Sequence, residues 1–171
     1  MPLDSIVRIM KRFLSTTIIL LFMLFAHAQS LSDLASMREL ATLYKKGNSI
    51  VPTLKKKGYK HKGWIHAERL NDFYGADFYY KNCRLNRKGE PIYFDKGNSC
   101  IIQIASVGFG PCIVIEVFNK NAYWFYIKQI KAMGFQQDSS DDGTITYVRR
   151  KTAIDCYRAR KGGSFCIRRN L

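Results

Sequence analysis

The spacing of apolar residues along the chain predicts three helices. Over Ser32–Tyr44 apolar side chains recur every three or four positions, and the first serine can cap the helix. A second helix is predicted over Ser49–Lys57, because Gly58 can end it. A third helix is predicted over Ala122–Met133 and is closed by Gly134. Its apolar stripe is typical of a face buried in a core rather than of a ligand site.

Stretches rich in isoleucine, valine, tyrosine and phenylalanine predict strands over most of the remaining chain. These strands are Phe73–Tyr80, Cys100–Ala105, Cys112–Phe118, Thr144–Arg150, Ile154–Arg160 and Ser164–Arg169. Before the last three of them, the polar and acidic stretch Gln136–Gly143 predicts a loop. Helices and runs of antiparallel strands in this order predict an α+β fold.

The first residues of the chain carry the pattern of a secretory signal peptide. Lys11 and Arg12 give a positive start, an apolar zone of about 14 residues follows, and Ala26–Ala28 has the small residues of a cleavage site. That zone is shorter than the roughly 20 residues that cross a bilayer, although an uncleaved anchor is the alternative. The pattern is already complete from Met10, which is therefore an alternative start. We expect a cleaved peptide over residues 1–28 and a periplasmic or secreted protein.

Two pairs of short segments resemble each other and predict an internal repeat. The matching segments are Leu54–Tyr59 with Ile130–Phe135, and Lys96–Ile101 with Lys161–Cys166. They predict two similar units of helix plus antiparallel sheet, over residues 29–121 and 122–171, that pack together. One such unit would bury too little surface alone, whereas two that share a sheet bury enough. The alternative is a chance similarity between short helix ends and turns.

This two-fold pattern of helix and strands behind a signal peptide resembles the tandem fold of the beta-lactamase-inhibitor-like proteins. It is also similar to small exported proteins with SmpA-like or PepSY-like repeats. The resemblance covers most of the chain after residue 28 and rests on architecture, so no functional residue carries over. It implies a non-catalytic protein that binds another protein or a peptide on its sheet.

The charge balance favours acidic partners. The chain has 28 lysines and arginines against 13 aspartates and glutamates, which gives a formal net charge of +15. A charge of this size attracts polyanions and acidic surfaces over long range. For an exported protein we expect an acidic protein or an acidic envelope polymer as the partner rather than nucleic acid. The alternative is a lysine-rich surface that only keeps the protein soluble.

The basic residues cluster in two places that together predict a binding face. The first cluster mixes lysines with an aromatic side chain and comprises Lys55, Lys56, Lys57, Lys60 and Trp64. The second loads the predicted final hairpin and comprises Arg158, Arg160 and Lys161. Because alternate residues of a strand share a face, the two arginines are predicted to point to the same side. The alternative is that these charges only protect an edge strand from aggregation.

Export also decides how the five cysteines are interpreted, because oxidising compartments favour disulfides. The predicted pairs are Cys83 with Cys100 and Cys156 with Cys166. A three-residue turn with Gly162 at positive φ would place the second pair directly opposite each other on a hairpin. Cys112 is then left as a free thiol. The alternative is five unpaired core cysteines, and the absence of a C-x-x-C motif argues against a zinc or thioredoxin-type site.

One apparent catalytic motif fails on its ligand count. His66 and Glu68, followed by Pro111 and Cys112, resemble the zinc deaminase signature H-x-E and P-C-x-x-C. Ile115 stands where the second cysteine of that signature belongs, so the zinc would lack a ligand. We expect no metal and no cofactor.

The predicted function is therefore non-catalytic binding of an acidic partner through a basic sheet face. The alternative is an exported hydrolase that acts on an acidic polymer. Acid–base catalysis of that kind requires several titratable groups in one cleft. The residues that would have to converge are His61, His66, Asp72 and Asp77. A third possibility is a structural component of the cell envelope.

Overall fold

A computed structural model describes residues 31–46, 49–65, 73–94, 97–107 and 110–170. The predicted signal peptide over residues 1–28 lies outside these residues. Within the described ranges, no helix is both long enough and apolar enough to cross a membrane.

Three helices lie wholly within the described residues and match the predicted ones in position. Helix α1 spans Met37–Lys46, α2 spans Val51–Lys56 and α3 spans Lys120–Ala132. Asn119 caps α3, because its side chain accepts a hydrogen bond from the Asn121 backbone N–H at 2.8 Å. A cap of this kind satisfies one of the amide groups that a helix leaves without a partner at its start.

Helix α1 begins later than predicted, because Ser36 rather than Ser32 caps it. The Ser36 hydroxyl accepts the Glu39 backbone N–H at 3.2 Å, and the Glu39 carboxylate accepts the Ser36 N–H at 2.8 Å. This reciprocal pair is a capping box. Burial opposes ionisation of Glu39, but these hydrogen bonds and the nearby Lys57 charge outweigh it and lower the Glu39 pKa.

The described strands number ten, and eight of them form one antiparallel sheet. The strands are β1 Lys60–Ile65, β2 Phe73–Lys81, β3 Arg84–Leu85, β4 Pro91–Ile92, β5 Cys100–Val107, β6 Gly110–Val117, β7 Gln136–Asp141, β8 Thr144–Arg149, β9 Thr152–Arg158 and β10 Gly163–Arg169. The order in the sheet is β1-β2-β5-β6-β10-β9-β8-β7, and β3 and β4 form a separate hairpin. Two runs of four antiparallel strands therefore meet where β6 pairs with β10, and α3 connects them. The chain has an α+β fold, as predicted.

All three helices pack on one side of the sheet, which we call the helix face. Ile102, Ile115 and Phe165 lie on this face and are fully buried. The rings of Tyr123 and Tyr126 on α3 lie with their centroids 5.2 Å from that of Phe165. The main core of the molecule is therefore on this side.

The opposite side of the sheet, which we call the hairpin face, carries a second and smaller core. Ala76, Phe78 and Ile101 are buried there, and Leu85 of the β3–β4 hairpin packs against them. A Cβ on Gly89 in the hairpin turn would lie 3.3 Å from the Phe78 ring. The hairpin thus covers the part of this face that β1, β2 and β5 form.

Helices α2 and α3 end in the same way, which explains the similarity between Leu54–Tyr59 and Ile130–Phe135. Gly58 and Gly134 adopt φ of 76° and 78°. The N–H of the following aromatic residue donates to the carbonyl five residues earlier, at 3.0 Å in the first helix and 3.4 Å in the second. Each end is a Schellman motif, which needs a residue that tolerates positive φ, usually glycine.

The second pair of similar segments does not join equivalent strands. Cys100, near the end of Lys96–Ile101, opens β5, which is the third strand of the first run of four. Gly163, within Lys161–Cys166, opens β10, which is the fourth strand of the second run. The internal repeat stays a prediction that the helix ends favour and these turns do not.

The predicted loop over Gln136–Gly143 is wrong, because Gln136–Asp141 form β7 at one edge of the sheet. All six residues are exposed, so the strand lacks the alternation of apolar and polar residues that predicts a half-buried strand. Asp142 and Gly143 follow it at φ of 42° and 77°, as the two central residues of a type I′ hairpin turn require.

The predicted disulfide between Cys156 and Cys166 is contradicted by the strand register. Cys156 pairs with Phe165, and Cys166 pairs with Asp155, so the two thiols lie on opposite faces of the sheet. The turn has four residues instead of three, and Ala159 N–H donates to the Gly162 carbonyl across it. A shift of one residue reverses the face of every side chain.

The predicted disulfide between Cys83 and Cys100 is also absent, since all five cysteines are free. The Cys83 thiol belongs to the smaller core and donates to the Cys100 carbonyl at 3.8 Å. The Cys100 side chain lies in the main core on the helix face. Burial raises the pKa of Cys100 to about 12.

Candidate functional site

The two predicted basic clusters lie far apart and do not form one surface. Lys55–Lys57 end α2 and Lys60 begins β1, whereas Arg158 ends β9. Five strand spacings separate β1 from β9, which is roughly 25 Å at about 4.8 Å per strand. Trp64 is 57% exposed and covers Gly75 of the neighbouring strand.

The side chains of these clusters also differ in what they contact. Arg158 lies on the helix face, with its guanidinium 5.3 Å from the centroid of the Trp124 ring. Arg160 lies in the turn beyond the end of β9, so the prediction that both arginines share a strand face is wrong. Lys57 forms an ion pair with Glu39 at 3.5 Å, and its carbonyl accepts from the Lys81 ammonium at 2.6 Å.

A large open groove lies on the helix face, at the end of the sheet where β5 turns into β6 and β8 turns into β9. Its volume is about 1070 Å³, and a smaller pocket of about 310 Å³ adjoins it. The groove lies between the end of α1, the start of α2, the β5–β6 hairpin and the turn from β8 to β9. The cations that line the two cavities are Lys45, Lys46, Arg149, Arg150, Lys151 and Arg169. We call the two cavities together the basic groove.

Local structure explains why cations gather at the basic groove. Lys45 and Lys46 occupy the last turn of α1, where positive charge is favoured by the helix dipole. Arg149 pairs with Thr152 across a tight turn, and Arg150 in that turn adopts a φ of 56°. A two-residue turn of this kind projects its side chains beyond the sheet, toward the end of α1.

The floor of the groove is apolar. Ile50, Ile104 and Ile113 line it, and the first and last of these are almost fully buried. Tyr44 stands at the wall, where its hydroxyl donates to the Pro111 carbonyl at 2.9 Å. Burial is the main reason that the pKa of Tyr44 is raised, so the phenol stays neutral.

The positive charge of the groove is not balanced by carboxylates. Ion pairs among the described residues join Lys57 to Glu39 and Arg168 to Asp155, and the His61 imidazole contacts Asp77. None of the six groove cations takes part in them. Of the described residues that line the groove, only Asp77 carries a carboxylate.

Arg168 shows the contrast with its neighbour Arg169. Its Nε and Nη2 atoms bind the two carboxylate oxygens of Asp155, at 2.5 and 3.0 Å. Thr146 donates to the same carboxylate at 2.9 Å. The hydrogen bond to Asp155 is the largest reason that the pKa of Arg168 is raised. Arg168 therefore forms a structural ion pair on the hairpin face, whereas Arg169 lines the groove.

Half of the predicted hydrolase constellation can be located. His61 Nε2 lies 3.1 Å from Asp77 Oδ1, and the imidazole stacks on Tyr79 with ring centroids 4.7 Å apart. His66 and Asp72 lie outside the described residues. The described part of the chain contains no group of three or more His, Cys, Asp or Glu residues that could hold a metal ion.

None of the six groove cations was among the predicted binding residues, although their basic stretches can be seen in the sequence. The run Arg149–Lys151 is visible as a basic cluster, and Lys45–Lys46 as the end of a helix. Their meeting depends on how α1 crosses the sheet, which no local pattern encodes. Comparison of the chain with protein-family models, curated proteins and solved structures finds no match.

Proposed function

We propose that this chain is an exported, non-catalytic binding protein that holds an acidic, partly apolar peptide segment of another protein in the basic groove. The observation that carries the proposal is the set of six cations around an apolar floor, none of which has a carboxylate partner among the described residues. Their charge would attract and orient an acidic segment, and the floor would receive its apolar side chains.

The architecture supports binding as the function. The resemblance to beta-lactamase-inhibitor-like proteins implies a sheet with helices that recognises another protein. We include in the proposal that the two runs of four strands descend from one duplicated unit. The Schellman ends of α2 and α3, each followed by such a run, favour that origin.

The apolar floor favours a peptide over an acidic glycan. The exposed surface of Val51, Ile104 and Pro111 in the groove contributes free energy only when apolar groups cover it, at roughly 25 cal/mol per Å². Glycans present few such groups, whereas an acidic peptide with leucine or phenylalanine presents both kinds. Ion pairs at the open rim contribute under about 1 kcal/mol each and act mainly on the association rate.

The test uses a short fluorescent peptide in which glutamate alternates with leucine. Lys45→Glu together with Arg150→Glu reverses charge on both sides of the groove. Arg160→Glu with Lys161→Glu makes the same change in net charge at the opposite end of the sheet. We expect the first double variant to raise Kd by about tenfold or more, and the second by less than about threefold at physiological salt.

Two further peptides test the ligand class. Replacing glutamate by glutamine removes charge, and replacing leucine by serine removes apolar surface, so each should weaken binding. Equal loss in the two double variants would show that net charge alone attracts the peptide, and the groove would be rejected as the site. Export is tested separately by intact mass from an exporting host, where a chain beginning at Gln29 is expected and a full-length chain would contradict it.

A further inference from the structure

Strand pairing places two cysteines side by side where the two runs of four strands meet. Cys166 on β10 pairs with Val114 on β6, and Cys112 lies two residues before that valine. Side chains two positions apart on a strand share a face, so both thiols lie on the hairpin face. They are diagonal neighbours across adjacent strands, which is within reach of side-chain contact.

The environment of the two thiols confirms their contact. Cys112 belongs to the smaller core, and Cys166 packs against that core. Each thiol changes the pKa of the other, because a hydrogen bond between the two side chains is the largest reason that the pKa of Cys112 is lowered and the pKa of Cys166 is raised. The other buried thiols behave differently, because burial raises the pKa of Cys100 and of Cys156 to about 12.

The pair also has a route to solvent. Cys112 is almost fully buried, and Cys166 beside it is partly exposed on the hairpin face. A small oxidant can therefore reach the pair from that face. Reactive cysteines are those with favoured thiolates and access, and in the described structure this pair combines both.

We propose that Cys112 and Cys166 form a reversible disulfide that fastens β6 to β10 when hydrogen peroxide reaches the pair. Both thiols are free in this structure. Diagonal neighbours have Cα atoms roughly 7–8 Å apart, so closing the bond requires β6 and β10 to move closer as well as the two side chains to turn toward each other. The inference does not depend on the proposed peptide binding.

The chemistry proceeds in two balanced steps. The Cys112 thiolate attacks one oxygen of the peroxide, the O–O bond breaks, and the sulfur becomes a sulfenic acid. The hydroxide that leaves takes up the proton that the Cys112 thiol had lost, which gives the first water. The Cys166 sulfur then attacks that sulfur, the S–O bond breaks, and a second water is released. Two electrons pass from the thiols to the peroxide, and the two thiol protons end in the two waters.

The bond would join strands that are close in space but distant along the chain. The segment between the two cysteines contains α3 and strands β7–β9. Closing so long a loop restricts the unfolded chain, which is the main source of stabilisation by a disulfide in the chain-entropy account. The oxidised protein should therefore resist unfolding better than the reduced protein.

The experiment titrates the reduced full-length protein with hydrogen peroxide and then alkylates the remaining thiols in denaturant. We expect the number of alkylated cysteines to fall by two and a non-reducing peptide map to show residue 112 linked to residue 166. The Tm should rise by about 5 °C or more, and dithiothreitol should reverse both changes. Cys112→Ser and Cys166→Ser should each abolish the link and the rise, whereas Cys156→Ala should retain them.

The peptide map of the unmodified protein decides the inference even if a serine variant fails to fold. A link between other cysteines, links only between molecules, or stepwise oxidation to sulfinic acid without a link would each overturn it. None of these outcomes bears on the peptide-binding test, because that test uses fully reduced protein and no cysteine variant.

Discussion

The backbone of Ala35 shows how single residues hold the segment before α1. Ala35 is fully buried outside any regular element, so its amide groups need partners other than a helix or a strand. Its N–H donates to the Tyr59 hydroxyl at 3.2 Å, and its carbonyl accepts from the Tyr126 hydroxyl at 2.7 Å. Burial raises the pKa of both tyrosines well above the usual value, so both remain neutral.

Replacing Tyr126 by phenylalanine should destabilise the protein by about 1–3 kcal/mol. The ring would still fill its place, but the Ala35 carbonyl would be left buried without a donor. Urea unfolding of the two proteins measures the loss. Tyr80→Phe is the matched control, because Tyr80 is only partly buried and its hydroxyl forms no hydrogen bond among the described residues. Similar stability for both variants would mean that another group satisfies the carbonyl.

The wrong prediction of a disulfide between Cys156 and Cys166 also has its cause at the scale of single residues. Cysteine spacing predicted a hairpin between Cys156 and Cys166, and β9 and β10 do form one. The error was one residue in the length of the turn, which is enough to reverse the faces. Composition does not distinguish a three-residue from a four-residue turn, because that choice depends on how Gly162 contacts the neighbouring strand. The contact between Cys112 and Cys166 is likewise invisible until β6 is placed beside β10.

At the scale of elements, burial decided what could be predicted from the sequence. The helices and the central strands bury one face or both, so they carry the periodic apolar residues that the prediction uses. The edge strands β1 and β7 do not. The residues of β1, KHKGWI, are mostly exposed, and the residues of β7, QQDSSD, are all exposed. The short strands β3 and β4 have two residues each, too few for any period.

Gly162, just before β10, lies where two backbone segments come close together. Sequence reasoning assigned it to a turn position with positive φ, but it is not among the residues with positive φ. A Cβ at this position would instead overlap the Val117 carbonyl oxygen and lie 2.9 Å from the Phe118 Cα. Glycine is needed here because two backbones come close together.

Gly162→Ala should therefore cost about 2–4 kcal/mol of unfolding free energy, because neither backbone can move without loosening the pairing of β6 with β10. Gly97→Ala is the control, since no atom lies within 4 Å of a Cβ there and φ is not positive. We expect that control to change stability by less than about 0.5 kcal/mol. A Gly162→Ala protein as stable as the control in urea would contradict the close approach.

At the scale of the whole molecule, the basic groove could not be predicted from the sequence. Its cations come from the end of α1, the turn from β8 to β9 and the end of β10, which are far apart in the chain. Each basic stretch can be read locally, but their meeting follows from the sheet order. The clusters chosen from sequence, Lys55–Trp64 and Arg158–Lys161, were dense in charge, yet most of their residues lie at the other end of the strands. Trp64 lies beside the groove residue Asp77 but carries no charge.

The whole sheet has two open edges, β1 and β7. Both edge strands carry a bulge at a charged residue. The register skips Lys62 between His61 and Gly63 on β1, and it skips Asp138 between Gln137 and Ser139 on β7. Bulges and charges are two of the means by which proteins prevent edge-to-edge association. The basic edge of one molecule and the acidic edge of another would otherwise attract each other.

Deleting Asp138 tests whether geometry or charge protects the β7 edge. Without the bulged residue, the pairing of Gln137 with Tyr147 would continue directly into that of Ser139 with Thr146, which straightens the strand. We expect faster, concentration-dependent aggregation in light scattering, with a urea midpoint close to that of the original protein. Asp138→Asn keeps the bulge and removes the charge, so it should aggregate less than the deletion. If the deletion variant stays monodisperse, the net charge of +15 alone keeps the molecules apart, and the bulge has another role.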